Sequence, residues 1–384
     1  MSGRRVYSHE HEEARAHTVP VSEGESSSRT QQESRGRRVR LTKRVPPPDA
    51  RQSGEHTRSW RPRPADYLRK PAVRLSIMVC CALACVAVFF LAGLDLGNLN
   101  VLVLRMRATR VAALVLVGVA VSISTVAFQT IAENRILTPS IMGFDALYAV
   151  VQTTIIFLFG TAYAQHVGVL AQFALSGGIM VVFAVVLFTS MMRRPIQLMI
   201  LIGIVLGTML RSVSTLLQSI MEPNSLTVLQ AQLFASFGSV DSRLLGVSTM
   251  IICALGCDLL RRSRVLDVLS LGREHAISLG VPYRRALFGI LVDVAVLVAT
   301  STALVGPVTF FGLLVSALAY RLAGSARHIW VLPAAACIAV ICLVGGQAIL
   351  EFALGMNGVL SGVIEFVGGI VFILLILSHR KRLS

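Results

Sequence analysis

The sequence predicts an all-α membrane protein with about ten transmembrane helices, and three observations predict it. Hydrophobic residues make up 54% of the 384-residue chain and charged residues only 15%, where soluble domains carry about 25% charged residues. Apolar runs recur regularly after residue 70, each near the ~20 residues a helix needs to cross a bilayer. Basic residues gather in alternate turns between those runs, the pattern that fixes the orientation of a polytopic protein.

Residues 1–70 stand apart. They are rich in Ser, Glu, Arg, Gln and Pro, with Ser26-Ser27-Ser28 and Pro46-Pro47-Pro48. Such a segment cannot bury enough apolar area to offset chain entropy and is expected to be a disordered, basic cytoplasmic tail. No apolar stretch follows its first basic residues, so it does not read as a signal peptide. His9, His11 and His17 read as solvated tail residues. The stretch 58–70, basic and holding Trp60 and Tyr67, is suited to anionic headgroups.

Residues 71–384 form the polytopic transmembrane part, with spans expected at 73–93, 108–127, 141–160, 168–191, 196–217, 243–260, 286–304, 308–322, 329–350 and 359–378. Ten spans put both termini on one side. Arg135, Arg193-Arg194, Arg321 with Arg327, and Arg380-Lys381-Arg382 mark alternate turns, so that side is the cytoplasm. Arg105, Arg107 and Arg110 break the bias by lying on the outer side. Segment 218–240 is too polar to cross, and 226–237 is expected as an outward interfacial helix after the Glu222-Pro223-Asn224 turn.

The longest polar interruption is 261–285, bounded by Arg261-Arg262 and Arg284-Arg285. Val265, Leu266, Val268, Leu269 and Leu271 give a first amphipathic piece, broken by Gly272. A second short piece, 274–279, is stopped by Gly280 and Pro282. Two short helices with apolar faces at the cytoplasmic surface would make a socket for another protein; the alternative is an interfacial hairpin without a partner.

Enzymatic chemistry is missing. The three lysines, Lys43, Lys70 and Lys381, fall outside any GxxxxGK[ST] phosphate loop, and HExxH and GxSxG do not occur. Cys80, Cys81, Cys85, Cys253, Cys257, Cys337 and Cys342 all fall within expected spans and form no CxxC pair. They read as small apolar side chains. The formal charge of +16 lies in the tail and at helix ends, with no aromatic-interleaved basic surface for nucleic acid. No cofactor or metal is expected.

Four segments carry a family resemblance. LGREHAISLG at 271–280 resembles the coupling segment of the iron-siderophore and cobalamin (FecCD-type) ABC importer permeases. Arg107-Ala108-Thr109-Arg110, followed by an apolar run to Gln129, is similar to that family's R-x-P-R…G…Q stretch. NRILTPSIMG at 134–143 and VGPVTFFGL at 305–313 resemble N-P-L-A-x-P-x-x-L-G and G-P-I-x-F-V-G-L. There are departures: Ala108-Thr109 stand for Leu-Pro, Arg135 for Pro, and Ser316-Ala317 for Pro-His. With Phe144-Asp145 and Phe234-Ala235-Ser236-Phe237, they are more similar to the branch importing catecholate-type ferric siderophores than to the cobalamin branch.

The resemblance implies a type II ABC importer permease in the bacterial cell membrane, with no catalytic residues of its own. Its partners would be cytoplasmic ATPase subunits, a second permease subunit (homo- or heterodimer) and an extracytoplasmic substrate-binding protein. Gly272, Glu274, Ala276, Leu279 and Gly280 would sit on the ATPase. Arg107 and Arg110 would pair with carboxylates of the binding protein, or else simply snorkel to headgroups. Arg211, Ser214 and Gln129 would line the translocation path, the first two on the fifth span with its G-x-x-x-G at Gly203 and Gly207.

Asp145, Arg211, Asp293 and Glu365 are the ionisable residues in or beside spans and should face protein or water. Two readings of Arg211 stay open here, a pathway residue or an internal ion pair with Asp293 or Glu365. Two further functions also stay open. One is an ion-coupled secondary transporter using Asp293 or Glu365; the other is a membrane scaffold that uses the 261–285 loop for assembly.

Overall fold

A computed structural model describes residues 70–92, 101–160, 167–191, 196–238, 240–353, 355 and 360–380, all within the unit Arg61–Ser384. The expected tail, apart from Lys70, lies outside the described residues.

Every regular element among the described residues is helical. In order they are α1 (Pro71–Leu91), α2 (Val101–Ile131), a 3-10 turn (Pro139–Met142), α3 (Phe144–Phe159), α4 (Val169–Met191), α5 (Ile196–Ser219), α6 (Pro223–Leu233) and α7 (Ser242–Arg261). Then come the short α8 (Ser263–Leu269) and α9 (Arg273–Ser278), followed by α10 (Tyr283–Val305), α11 (Phe311–Leu322), α12 (His328–Val340) and α13 (Leu360–Arg380). Two π-helical turns, Ile341–Gly345 and Ile349–Ala353, prolong α12.

Seven of these, α1, α2, α4, α5, α7, α10 and the prolonged α12, are long and apolar enough to cross a bilayer. With 16 and 12 residues, α3 and α11 are about 24 and 18 Å long, short of a hydrocarbon core of about 30 Å. The tenth expected segment is the 21-residue α13.

Three boundaries differ from expectation, each for a local reason. α2 begins at Val101 rather than 108, because arginines are good helix formers and Arg105, Arg107 and Arg110 carry the turn without breaking it. The third segment is interrupted at Gly143, whose φ is +96°. There the chain passes so close to α5 that a β-carbon on Gly143 would lie 2.8 Å from the Gly207 Cα. The amphipathic stretch after α5 forms α6 at Pro223–Leu233, starting on its proline. Residues 234–238 follow it without regular structure, and the Ser236 amide donates to the Val305 carbonyl at 2.8 Å.

α2 and α10 form the centre. Of their most apolar windows 78% and 72% is buried, against 11% and 17% for α1 and α4, whose apolar side chains face outward. Lipid is as apolar as leucine, so burial alone drives little helix association in a membrane, and close approach of small residues takes its place. A β-carbon at Gly118 of α2 would touch Leu343 and Ala339 of the α12 column at 3.2 and 3.3 Å. Gly312 of α11 leaves room for Thr125 of α2. Two buried hydroxyls of α2 are satisfied within the helix: Ser122 donates to the Val119 carbonyl and Ser124 to the Val121 carbonyl, both at 3.1 Å.

Candidate functional site

The loop 261–285 folds as α8 and α9 with a sharp joint. Gly272, at φ +92°, starts α9, and Gly280, at φ +81°, follows it, conformations that an L side chain resists. Glycine is therefore required at both places by the backbone.

The loop is fastened at its start and centre. Arg262 joins Asp258 at 2.7 Å, one turn back on α7, and Asp293 of α10 at 3.5 Å. The second contact has ion-pair distance without hydrogen-bond geometry, leaving Asp293 Oδ2 buried without a hydrogen bond. Gly289 makes the reach possible, because a β-carbon there would overlap the Arg262 guanidinium. At the centre, Asp267 of α8 accepts from the His328 backbone amide at 2.7 Å and meets His328 Nδ1 at 2.6 Å.

Outward the loop presents three large apolar side chains among charged and polar ones, including Arg264, Arg273 and His275. Leu271, Ile277 and Leu279 are more than half exposed, and Glu274 and Gly280 are also exposed. Gly272 and Glu274 border a polar pocket of 370 Å³ with Glu133, Arg273, His275 and Tyr283. Ala276 is different: it is fully buried in the chain's own core. Its methyl faces the bundle and cannot press into a partner, so its small size serves the seating of α9.

The second region is a cavity of 660 Å³ between the 3-10 turn, α3 and α5, bordered by Ser140, Gly143, Thr208, Arg211, Ser212 and Thr215 among others. Arg211 is exposed into it and makes no ion pair within 4 Å among the described residues. The acids considered as its partners are engaged elsewhere, Asp293 with Arg262 and Glu365 with Thr309, whose hydroxyl donates at 2.7 Å. Behind the wall, Asp145 at the start of α3 is buried.

The other two expected pathway residues do not border the cavity. Ser214 is buried and bonds Thr153 of α3 at 2.8 Å. Gln129 is buried too, and its amide donates to the Arg135 carbonyl at 2.7 Å, pinning the turn after α2. Both hold helices in place.

At the far end of α2, Arg107 donates to the Ala92 carbonyl at 2.6 Å and lies 5.7 Å from the Phe352 ring centre. Arg110 pairs with Glu351 at 2.9 Å. Both guanidinium groups thus already have partners within the chain. From Arg107 to Thr130 the helix rises about 35 Å, so these arginines and the 261–285 loop occupy opposite ends of the bundle.

The FecCD transport family model matches residues 75–378. The chain belongs to the FecCD transport family. Among FecCD relatives it is similar to the petrobactin import system permease protein YclO of Bacillus subtilis (strain 168). The two are 41% identical over 312 residues, covering 80% of this chain and 98% of the relative. The petrobactin import system permease protein FatC of Bacillus anthracis is 35% identical over 281 residues, 72% of this chain and 79% of that one. The ferric enterobactin transport system permease protein FepG of Escherichia coli (strain K12) is 28% identical over 297 residues, 74% and 85% of the two chains. The FecCD fold also matches a solved metal-chelate type ABC transporter in an inward-facing conformation. The TM-score is 0.71 at 20% identity, with 80% of this chain and 99% of that one covered.

Sequence reasoning marked Arg262 only as a boundary of the loop and did not find Gly289, Asp267, His328 or Glu351. Their partners lie tens to hundreds of residues away, 61 for Asp267 with His328 and 241 for Arg110 with Glu351. Only the excess of charge within apolar surroundings could have drawn attention to them.

Proposed function

We propose that this chain is the transmembrane permease subunit of an ABC importer that moves a ferric siderophore across the bacterial cell membrane. The supporting observation is family membership over residues 75–378, joined to a fastened loop that exposes Leu271, Ile277 and Leu279. Relatives named for petrobactin import, at 41% and 35% identity, favour a siderophore substrate, with ferric petrobactin the first to try.

Both termini and the loop face the cytoplasm. ATPase subunits seat on Leu271, Ile277 and Leu279, with Gly272 and Gly280 setting the backbone of the contact and Glu274 at its polar edge. Closure of the ATPase pair on ATP pulls the loop, and the helices around the Arg211 cavity tilt to switch access between the two faces of the membrane. A second permease subunit supplies the other half of the path, and a substrate-binding protein delivers cargo at the Arg107 end. Because Arg107 and Arg110 are held within the chain, they shape that docking surface instead of standing free on it. Arg211 offers a fixed positive charge and a fork of donors to an anionic, oxygen-rich chelate. The ion-coupled alternative loses its footing, since Asp293 fastens the loop and Glu365 holds Thr309.

The test is cross-linking. In a chain freed of native cysteines, Ser270→Cys should cross-link to a cysteine-bearing ATPase subunit in inverted vesicles and resist impermeant thiol reagents in intact cells. Labelling from outside would overturn both the topology and the docking assignment.

A further inference from the structure

The Asp267–His328 contact continues inward. His328 is 3% exposed, and its Nε2 lies 2.7 Å from Thr130 Oγ1 on α2. Thr130 is also 3.5 Å from the Tyr320 hydroxyl of α11, whose ring carries the Arg135 guanidinium 4.5 Å from its centre. Asp267 accepts at Nδ1, so that nitrogen carries a proton and Nε2 is left to face Thr130. A planar ring bonded at both nitrogens has no internal torsion to absorb a displacement. At 2.6 and 2.7 Å neither bond has slack.

The elements it joins make the contact more than local. His328 is the first residue of α12 and Thr130 the last but one of α2. These two helices touch midway at Gly118 against Ala339 and Leu343. They are joined again at the far end by Arg110 and Glu351 at 2.9 Å. They form a pair tied at both ends, and α8 of the loop meets one of those ends, where it packs on both helices and is hydrogen-bonded to His328 through Asp267.

Resting on the coupling assignment above, we propose that Asp267–His328–Thr130 is the link through which the 261–285 loop moves the α2–α12 pair, with His328 as the positioning residue. The imidazole adds a bonded path to the direct packing of α8 on both helices, and the Arg110–Glu351 bond keeps them moving together. The competing explanation is that Asp267 only caps α12.

Links in series and a local cap differ in how losses combine. Thr130→Val removes a single oxygen, and with it the inner bond and the hydroxyl's contacts with the Val126 carbonyl and Tyr320. His328→Asn keeps a donor for Asp267 but loses the reach to Thr130. In the assembled complex with its ATPase and binding protein, reconstituted in proteoliposomes, the readout is ferric petrobactin imported per ATP hydrolysed. Each variant should lower that ratio by about fivefold, a size typical of coupled members of one network. The double variant should fall no further than either single.

An unchanged ratio, or losses that multiply in the double variant, would overturn the link. Thr130→Val decides the matter alone if His328→Asn does not assemble. The Ser270→Cys cross-link is measured on the same preparations. Its absence in the unsubstituted background would reject the docking assignment itself, whereas its presence with an unchanged ratio rejects only the link.

Discussion

At the scale of single residues, Arg211 is the charge whose surroundings say most. It borders a 660 Å³ cavity and has no ion-pair partner among the described residues. Removing it strands no paired carboxylate, so the 3–5 kcal/mol cost of breaking a buried ion pair does not apply. Arg211→Gln should therefore lower uptake of an anionic ferric siderophore per assembled complex, with the amount and thermal stability of the complex nearly unchanged. A complex that assembles poorly but transports normally per molecule would assign Arg211 to structure.

Arg110 invites the opposite expectation. Its pair with Glu351 is partly exposed, and such pairs contribute at most about 1 kcal/mol. Arg110→Glu should weaken binding-protein docking through local rearrangement. The exchange Arg110→Glu with Glu351→Arg should restore it, measured as binding-protein affinity at low ionic strength. Failure of the exchange to restore affinity would mean that Arg110 meets the binding protein directly.

At the scale of elements, α9 divides its side chains between two tasks. Ala276 is fully buried while Ile277 and Leu279 are exposed at 52% and 62%. Ala276→Phe overpacks the seat of α9 and should destabilise the chain by about 1–3 kcal/mol, read as a lower melting temperature before any ATPase is added. Ile277→Ser with Leu279→Ser should leave that temperature in place and abolish ATPase association.

The loop was legible in sequence because Gly272, Gly280 and Pro282 punctuate it. The inward turn of Ala276 was not, since in a six-residue helix the face is set by what α8 packs on and too few positions exist to show a period. The sequence pattern places the second span at 108–127, after Arg105 and Arg107, whereas α2 starts at Val101 and Arg107 reaches back to the Ala92 carbonyl. The break at Gly143 could be seen only once Gly207 was beside it. Gly207→Ala would place a methyl 2.8 Å from the Gly143 Cα. Backbone would have to move, so the 3-10 turn should separate from α5 and lower the stability of the complex.

At the scale of the whole molecule, the proposed function assigns roles to two ends about 35 Å apart along α2. One holds Arg107, Arg110 and Glu351; the other holds the 261–285 loop with its two fastenings. Residue types and motif order were enough to reach the family and the sidedness expectation. The fastenings arise from tertiary proximity that spacing does not encode, since Arg262, Asp267 and His328 each look like ordinary helix-end residues. The central claim is that work enters through that loop from a separate ATPase. It is tested most directly by uptake into proteoliposomes holding the full complex, with ferric petrobactin and binding protein outside. Import should require ATP inside and persist when the proton and sodium gradients are collapsed. Import driven by either gradient with no ATP present would contradict it.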